Sequence, residues 1–341
     1  MKPYEQSEPV EPYREDIQNE VYSEYQEFNE EKKETGVWLN ILLFILTFIS
    51  TTLAGVYWLN LDPYRLEYFP LGLTYAFLIL LVITTHEFGH YFAAKYHNVP
   101  VTLPYYIPFP FIFLNPFGTM GAVIRMKARN YSRKALFDIG AAGPIAGWIT
   151  TLIILLIGFL TLPSINYMYE IHPEYRATGI PVGGFSFGYN IIFWSFEKIF
   201  ASSPDVFMPP MNEFYHYPFL CVGWFGLLIT SLNMMPVGQL DGGHISYAMF
   251  GDKHKFIAYA TFALLLFFGL AGLLPLMEIN INWGSINWLV WALLILFVIK
   301  IKHPPVFPDY DQPLSSGRMM VGWFTFFIFI VSFCPVPVYE L

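Results

Sequence analysis

Long apolar runs separated by short polar connections dominate this chain from residue 37 onward. About 20 consecutive apolar residues are enough to cross the hydrocarbon core of a bilayer as a helix. The pattern predicts about seven such segments, at residues 37–58, 71–96, 136–162, 219–235, 256–276, 281–299 and 321–333. We therefore expect an all-α membrane fold.

The composition supports this interpretation. Of the 341 residues, 55% are hydrophobic and only 13% are charged, and the mean hydropathy is +0.46. Soluble domains carry about 25% charged residues, so we interpret the chain as an integral, multi-pass membrane protein. The two cysteines lie inside apolar runs and predict neither a disulfide framework nor a CxxC metal site.

The formal charge of −8 comes mostly from the start of the chain. Residues 1–36 carry eleven acidic and four basic side chains. This composition predicts a solvated, partly disordered tail and gives no reason to expect nucleic-acid binding. The first apolar run follows the acidic segment without a short basic leader or a cleavage site, so we expect a retained anchor and not a signal peptide.

Two connections have patterns of their own. Residues 102–117 are apolar but contain four prolines, which exclude a regular spanning helix. We predict a re-entrant segment there, leading into a strand or hairpin arm at residues 118–125. Residues 164–216 form the longest connection, and within it residues 190–201 predict an amphipathic surface helix.

The basic residues predict the orientation. If the acidic tail is cytoplasmic and the predicted helices alternate, fifteen Lys and Arg residues lie inside and only Arg65, Arg176 and Lys198 lie outside. Such an excess on one side is typical of cytoplasmic loops. The same count places the end of the second apolar run toward the cytoplasm.

That end carries metal-binding chemistry in the sequence HEFGH, residues 86–90. On a helix His86 and His90 share one face, because residues four apart are surface neighbours, and Glu87 can act as a general base. At about 1.5 Å per residue, His86 lies about 22 Å along the helix from residue 71, which is still at membrane depth. Ionisable groups are costly at that depth and therefore indicate function. The alternative is a buried His/Glu hydrogen-bond cluster without metal.

A catalytic zinc ion keeps three protein ligands and one open position. Residues 233–244, NMMPVGQLDGGH, end the fourth apolar run with a proline and a glycine, which break the helix. Asp241 follows where a turn could aim its carboxylate inward, on the same predicted side as His90. Asp241 could instead cap a short helix beginning near Ile245, but beside the HExxH motif we favour the ligand.

The pairing of HEFGH with NMMPVGQLDGGH resembles the HExxH and NxxPxxxLDG motifs of the site-2 proteases, a family of intramembrane zinc metalloproteases. GTMGAVIR and FDIGAAGPIAG also resemble that family, especially its compact branch without an evident inserted PDZ or CBS domain. The resemblance implies one Zn²⁺ held by His86, His90 and Asp241. It implies that Glu87 takes a proton from the attacking water, and that Asn233 serves the oxyanion or substrate. For Asn233, hydrogen bonding between helices is an equal alternative.

The resemblance also divides the chain. We expect an acidic cytoplasmic tail at residues 1–36, a first anchor and loop at 37–70, a metalloprotease core at 71–250, and further transmembrane helices at 251–341. The expected fold is membrane all-α with about seven transmembrane helices. A short re-entrant loop and a β-strand or hairpin would lie next to the active site, which opens toward the cytoplasm.

A transmembrane substrate must unwind before its peptide bonds can be attacked, and an edge strand can hold it extended. The β-forming composition between the two metal-binding segments suggests where that edge lies. As a hypothesis, the substrate strand comprises Thr119, Met120, Gly121, Ala122, Val123 and Ile124.

The leading functional hypothesis is a zinc endopeptidase that cleaves single-span membrane proteins within their spans. The alternatives are a non-proteolytic zinc-binding membrane protein or metal transporter, and a structural scaffold without metal. Residues 256–276 and 281–299 contain no histidine and no interior acid, which disfavours a transporter with ligands along several helices.

Several other residues receive simpler interpretations. For His244 we favour no ligand role, and we expect His97 at the membrane surface. Gly140, Gly143 and Gly147 predict close approach of two helices rather than contact with substrate. The basic residues at 125–134 are expected to contact anionic lipids.

Overall fold

A computed structural model describes residues 36–126, 132–279, 283–304 and 312–340. The predicted acidic tail therefore lies outside the described residues, apart from its last position. The described chain is mostly helical. Its helices are α1 Trp38–Tyr57, α2 Leu73–Tyr96, α3 Arg133–Leu160, α4 Ile165–Ile171, α5 Tyr175–Thr178, α6 Ile191–Phe200, α7 Pro218–Asn233, α8 Asp241–Phe250, α9 His254–Ala271, α10 Asn287–Leu294 and α11 Ser316–Ser332.

Four helical segments are long and apolar enough to cross a membrane. They are Trp38–Tyr57, Leu66–Tyr96, Arg133–Leu160 and Asp241–Met277. The other three apolar runs predicted from the sequence contain shorter helices, at Pro218–Asn233, Asn287–Ile299 and Ser316–Ser332. The prediction of a mostly helical, membrane-type fold is confirmed.

Short strands complete the described structure. β1, Tyr105–Pro108, pairs antiparallel with β2, Thr119–Val123, so the proline-rich connection is non-helical as expected. β3, Phe185–Phe187, pairs antiparallel with β4, Val338–Glu340, with Ser186 opposite Tyr339. The second pairing joins the long connection to the end of the chain, and the sequence pattern did not predict it.

The main core surrounds α2, which contacts α1, α3 and α7. The first half of α2 is apolar on every face, as expected for a membrane-spanning helix. Tyr75, Ile79 and Ile83 are buried against its neighbours, whereas Phe77 is exposed. Trp224 of α7 is fully buried and donates a hydrogen bond to the Gly188 carbonyl at 2.8 Å. This packing fixes α2 along its length and holds the HExxH motif inside the bundle.

The cytoplasmic-side ends predicted for α2 and α3 are joined by an ionic cluster. His97 Nε2 lies 2.8 Å from Asp138 Oδ2, and Arg318 of α11 contacts the same carboxylate through Nε at 2.8 Å and Nη2 at 2.6 Å. A bidentate Arg–carboxylate contact has a fixed geometry. The cluster therefore sets α11 beside the start of α3, and His97 is a structural partner of Asp138.

Candidate metal centre

The HExxH motif lies in the second half of α2. His86 and His90 lie one turn apart on the face toward α3, and both are buried. Their Nε2 atoms are 3.1 Å apart. His90 Nδ1 donates a hydrogen bond to the Ile139 carbonyl at 2.7 Å, which leaves Nε2 as the lone-pair donor atom. A backbone carbonyl on the outer nitrogen is the usual way in which a metal-binding histidine is oriented.

Two glycines of α3 make room for these rings. A Cβ atom at Gly143 would lie closer than 3.0 Å to three atoms of the His90 ring, and one at Gly147 would lie 3.1 Å from His86 Cβ. Because real Cβ atoms essentially never come within 3.0 Å of such neighbours, residue 143 must be glycine for His90 to stay where it is. The predicted close approach of helices is therefore found at the imidazoles themselves.

Asp241 is the first residue of α8, and its carboxylate points at both histidines. Oδ2 lies 3.3 Å from His86 Nε2, and Oδ1 lies 3.4 Å from His90 Nε2. α8 begins at Asp241 and has no side-chain cap. The alternative interpretation of Asp241 as the cap of a helix starting near Ile245 is therefore wrong.

The turn before α8 explains this placement. The backbone N–H of Gly238, at a φ of +54°, donates to the Ile301 carbonyl at 2.9 Å. A Cβ at Gly242 or Gly243 would collide with carbonyl oxygens of that turn. The two glycines after Asp241 thus let the first turn of α8 fold back against the preceding turn, and this aims the carboxylate inward.

The three donor groups fit one metal ion. Around a tetrahedral zinc ion with bonds of about 2.0–2.1 Å, donor atoms lie about 3.3–3.4 Å from one another. The distances here are 3.1, 3.3 and 3.4 Å. Two imidazoles and one carboxylate are also donor types that zinc accepts. The residues present therefore fit a zinc ion in both geometry and chemistry.

Glu87 lies beside this cluster and is buried. α2 packs against β2, and the Glu87 carboxyl group faces the backbone amide of Ile124, the residue after β2. In the described part of the chain β2 pairs with β1 alone, and the side chains of Met120 and Val123 are exposed. The structure thus brings the predicted substrate strand to the predicted catalytic base.

Asn233, the last residue of α7, also reaches the cluster, because its Nδ2 atom lies 3.5 Å from His86 Nε2. His244 does not join the three donors. Its Nδ1 atom contacts His303 Nε2 at 2.7 Å. The partners that the sequence did not reveal are His303 and the Ile139 carbonyl, since neither belongs to a motif and a backbone carbonyl leaves no sequence pattern.

The helical membrane-type fold and the His–His–Asp cluster next to a buried glutamate define a membrane protein of the metallopeptidase class. The sequence profile of peptidase family M50 matches residues 74–276, and the chain belongs to this family. The resemblance to site-2 proteases predicted from the sequence is confirmed.

Related plant proteins carry informative names. The chain is 30% identical over 189 residues to a probable chloroplastic zinc metalloprotease, EGY2, of Oryza sativa subsp. indica, covering 55% of this chain and 31% of the relative. It is 27% identical over 274 residues to EGY2 of Arabidopsis thaliana, covering 80% and 43%. It is 25% identical over 331 residues to EGY1 of Oryza sativa subsp. japonica, covering 90% and 52%. The chain thus spans between 31% and 52% of the length of these relatives.

Proposed function

We propose that this chain is an intramembrane zinc-dependent endopeptidase that cleaves single-span membrane proteins within or beside their spans. The observation that carries the proposal is that the donor atoms of His86, His90 and Asp241 lie 3.1–3.4 Å from one another. Glu87 lies beside them, on the same helix as the two histidines. Membership of peptidase family M50 and the zinc metalloprotease names of the relatives support the same activity.

In this proposal the two histidines and Asp241 hold the zinc ion. The ion would act as a Lewis acid and bring the pKa of its water toward about 7. Glu87 accepts a proton from the attacking water and passes it to the leaving amine, as a general base and then a general acid. The carboxyl group lies near the Ile124 amide, at the end of β2. Asn233 donates its amide N–H to the developing oxyanion.

The substrate binds as an extended strand along β2. Residues 119–124 end near Glu87 on α2, so a peptide added to this edge by β-augmentation would pass the catalytic carboxylate. The exposed side chains of Met120 and Val123 provide apolar contacts for a transmembrane sequence. When the substrate helix unwinds at this edge, its scissile carbonyl is exposed, whereas an intact helix would keep that carbonyl hydrogen-bonded.

The chain crosses the membrane seven times with its amino-terminal tail in the cytoplasm. Two contacts support an odd number of crossings. Arg318 at the start of α11 binds Asp138 at the start of α3, and β4 after α11 pairs with β3 in the connection after α3. Helices α3 and α11 thus run in the same direction, and the chain ends on the side opposite the start of α1.

We also propose that residues 102–125, which contain the predicted re-entrant residues 102–117, enter the bundle and return to the same side. Asn40 near the start of α1 donates to the Pro104 carbonyl at 2.9 Å, and Arg125 N donates to Thr102 Oγ1 at 3.0 Å, so both ends of the segment lie at the same side. Between them, the Phe117 carbonyl accepts a hydrogen bond at 3.4 Å from Tyr75 in the first turn of α2. The segment thus reaches the far end of α2 and returns.

The test is a Glu87→Gln variant of the full chain, expressed in cells beside the wild type and a Glu67→Gln control in the exposed connection after α1. Mass spectrometry of new protein termini in the membrane fraction identifies cleavage inside transmembrane segments. Glu87→Gln removes the base but keeps its volume, so the variant should retain its zinc and lose these termini, while Glu67→Gln keeps them.

The same termini in Glu87→Gln as in the wild type would refute the role of Glu87. No chain-dependent termini in any variant, together with zinc uptake into vesicles containing the wild type, would favour a transporter. If the purified wild-type protein contained no zinc, both the zinc endopeptidase and the zinc transporter would be excluded.

A further inference from the structure

A second group of metal-binding side chains lies in the long connection between α3 and α7. His172, Glu213 and His216 converge there, and none belongs to the HExxH or LDG motif. His172 Nε2 lies 3.1 Å from His216 Nε2. Glu213 Oε2 lies 3.2 Å from His216 Nε2 and 3.9 Å from His172 Nε2. The donor distances resemble those of the membrane-embedded cluster.

In each of the three side chains, the polar atom that faces away from the cluster already has a hydrogen-bond partner. His216 Nδ1 donates to the Trp58 carbonyl at 2.5 Å, and His172 Nδ1 contacts Glu174 Oε1 at 3.0 Å. Glu213 Oε1 accepts a hydrogen bond from the Tyr175 hydroxyl at 2.8 Å. These are the partners that orient metal ligands in proteins, with carbonyl or carboxylate on the far nitrogen of each imidazole.

Glu213 Oε2, the carboxylate oxygen that faces the two histidines, has no such hydrogen-bond partner among the described residues. The Glu213 side chain is only 5% exposed, and Oε2 makes no hydrogen bond within the described structure. Its ion-pair partners among the described residues are the two histidines. A buried carboxylate without a cation or full hydrogen bonding is costly, so a positive ion between the three groups would resolve an otherwise unfavourable arrangement.

We propose that His172, Glu213 and His216 bind a second Zn²⁺ ion, separate from the one at His86, His90 and Asp241. Two imidazoles and one carboxylate suit a borderline divalent metal, whereas Ca²⁺ and Mg²⁺ prefer all-oxygen sites. The proposal does not depend on proteolytic activity, because none of its three ligands contacts Glu87 or the first cluster.

The second site lies at the opposite end of the bundle. His216 bonds to the residue that follows α1, and the end of α1 packs against Gly72 at the start of α2. From there His86 is about 20 Å away along the helix, at about 1.5 Å per residue. A metal ion at the second site joins α4, through His172, to the entrance of α7. It thus fastens the long connection to the membrane helices.

The experiment measures zinc per chain by plasma mass spectrometry. The full chain is purified in detergent, washed with chelator, reloaded with zinc chloride alone and desalted. The wild type should hold two zinc ions, Asp241→Ala one, Glu213→Gln one, and the double variant none. Glu197→Gln, an acid of the same connection outside the cluster, is the matched control and should hold two.

His172→Ala is the second variant, because its side chain is the most exposed of the three and its loss disturbs packing least. A folded His172→Ala protein should also hold one zinc ion. In the Asp241→Ala background, cobalt(II) should give visible absorption that Glu213→Gln abolishes, and added zinc should raise the melting temperature only while Glu213 is present.

The outcomes separate this inference from the proposed function. Two zinc ions in both Glu213→Gln and His172→Ala would overturn the second site, as would a single ion in the wild type that Asp241→Ala removes. A single ion that Glu213→Gln removes and Asp241→Ala leaves in place would support the second site and refute the first.

Discussion

Replacing Gly143 by alanine should disable zinc binding at the HExxH motif without touching a ligand. The added Cβ atom would face the His90 ring across the α2–α3 contact. The most distant of the three nearest ring atoms, Cδ2, would lie 2.5 Å from it, whereas ordinary van der Waals contact begins at 3.4 Å. Because Nε2 and Cε1 of the ring would lie closer still, the ring or the whole helix must move by more than about 0.9 Å.

A shift of that size is large for a metal site. Ligand distances in metal sites hold to within about 0.2 Å, and a misplacement of about 1 Å at a catalytic centre costs about 10²-fold. We therefore expect zinc affinity in Gly143→Ala to fall by about 10–100-fold, the range seen when partners of metal ligands are lost. This corresponds to about 1.4–2.7 kcal/mol of binding free energy.

The assay is competition for zinc between the purified protein and a fluorescent chelator of known affinity. It uses the Glu213→Gln background, so that only the HExxH cluster is measured. Gly317→Ala is the control, because a Cβ atom at Gly317 meets nothing within 4 Å and alanine favours a helix. A folded Gly143→Ala protein with the zinc affinity of Gly317→Ala would refute the argument that this glycine sets the position of His90.

Three further predictions follow from the contacts around the site. Asn233→Ala should keep its zinc and lower the cleavage rate by about 10²–10³-fold, as for loss of an oxyanion donor; a parallel loss of zinc would instead assign Asn233 to holding His86. Ala122→Pro should impair cleavage with zinc content intact, because proline cannot donate to a strand ladder, and unchanged cleavage would discard substrate pairing on β2. Arg318→Lys removes the bidentate contact to Asp138, which should lower the free energy of unfolding by about 1 kcal/mol and the melting temperature by about 2 °C. Equal melting curves would show that this ion pair contributes nothing measurable to stability.

The apolar pattern and the motifs predicted much of this structure for identifiable reasons. The period of an α-helix places His86 and His90 on one face whatever surrounds them, and the four prolines at residues 102–117 exclude a helix in any context. The amphipathic pattern at residues 190–201 likewise corresponds to α6, Ile191–Phe200. Local sequence is sufficient in each of these cases.

Several other features that depend on distant parts of the chain were not predicted. β3 and β4 are three residues each and pair across about 150 positions, so neither carries a periodic pattern long enough to detect. The start of α8 at Asp241 depends on the turn fixed by Ile301. The cluster of His172, Glu213 and His216 forms because His216 bonds to Trp58, 158 positions earlier, and no motif marks that contact.

The central claim is that one zinc ion lies between His86, His90 and Asp241. X-ray diffraction from crystals of the zinc-loaded chain, recorded above and below the zinc absorption edge, tests it directly. We expect an anomalous difference peak about 2.0–2.2 Å from both Nε2 atoms and from a carboxylate oxygen of Asp241. Loaded crystals without a peak at this position, or with a peak that contacts the histidines while Asp241 points away, would contradict the account.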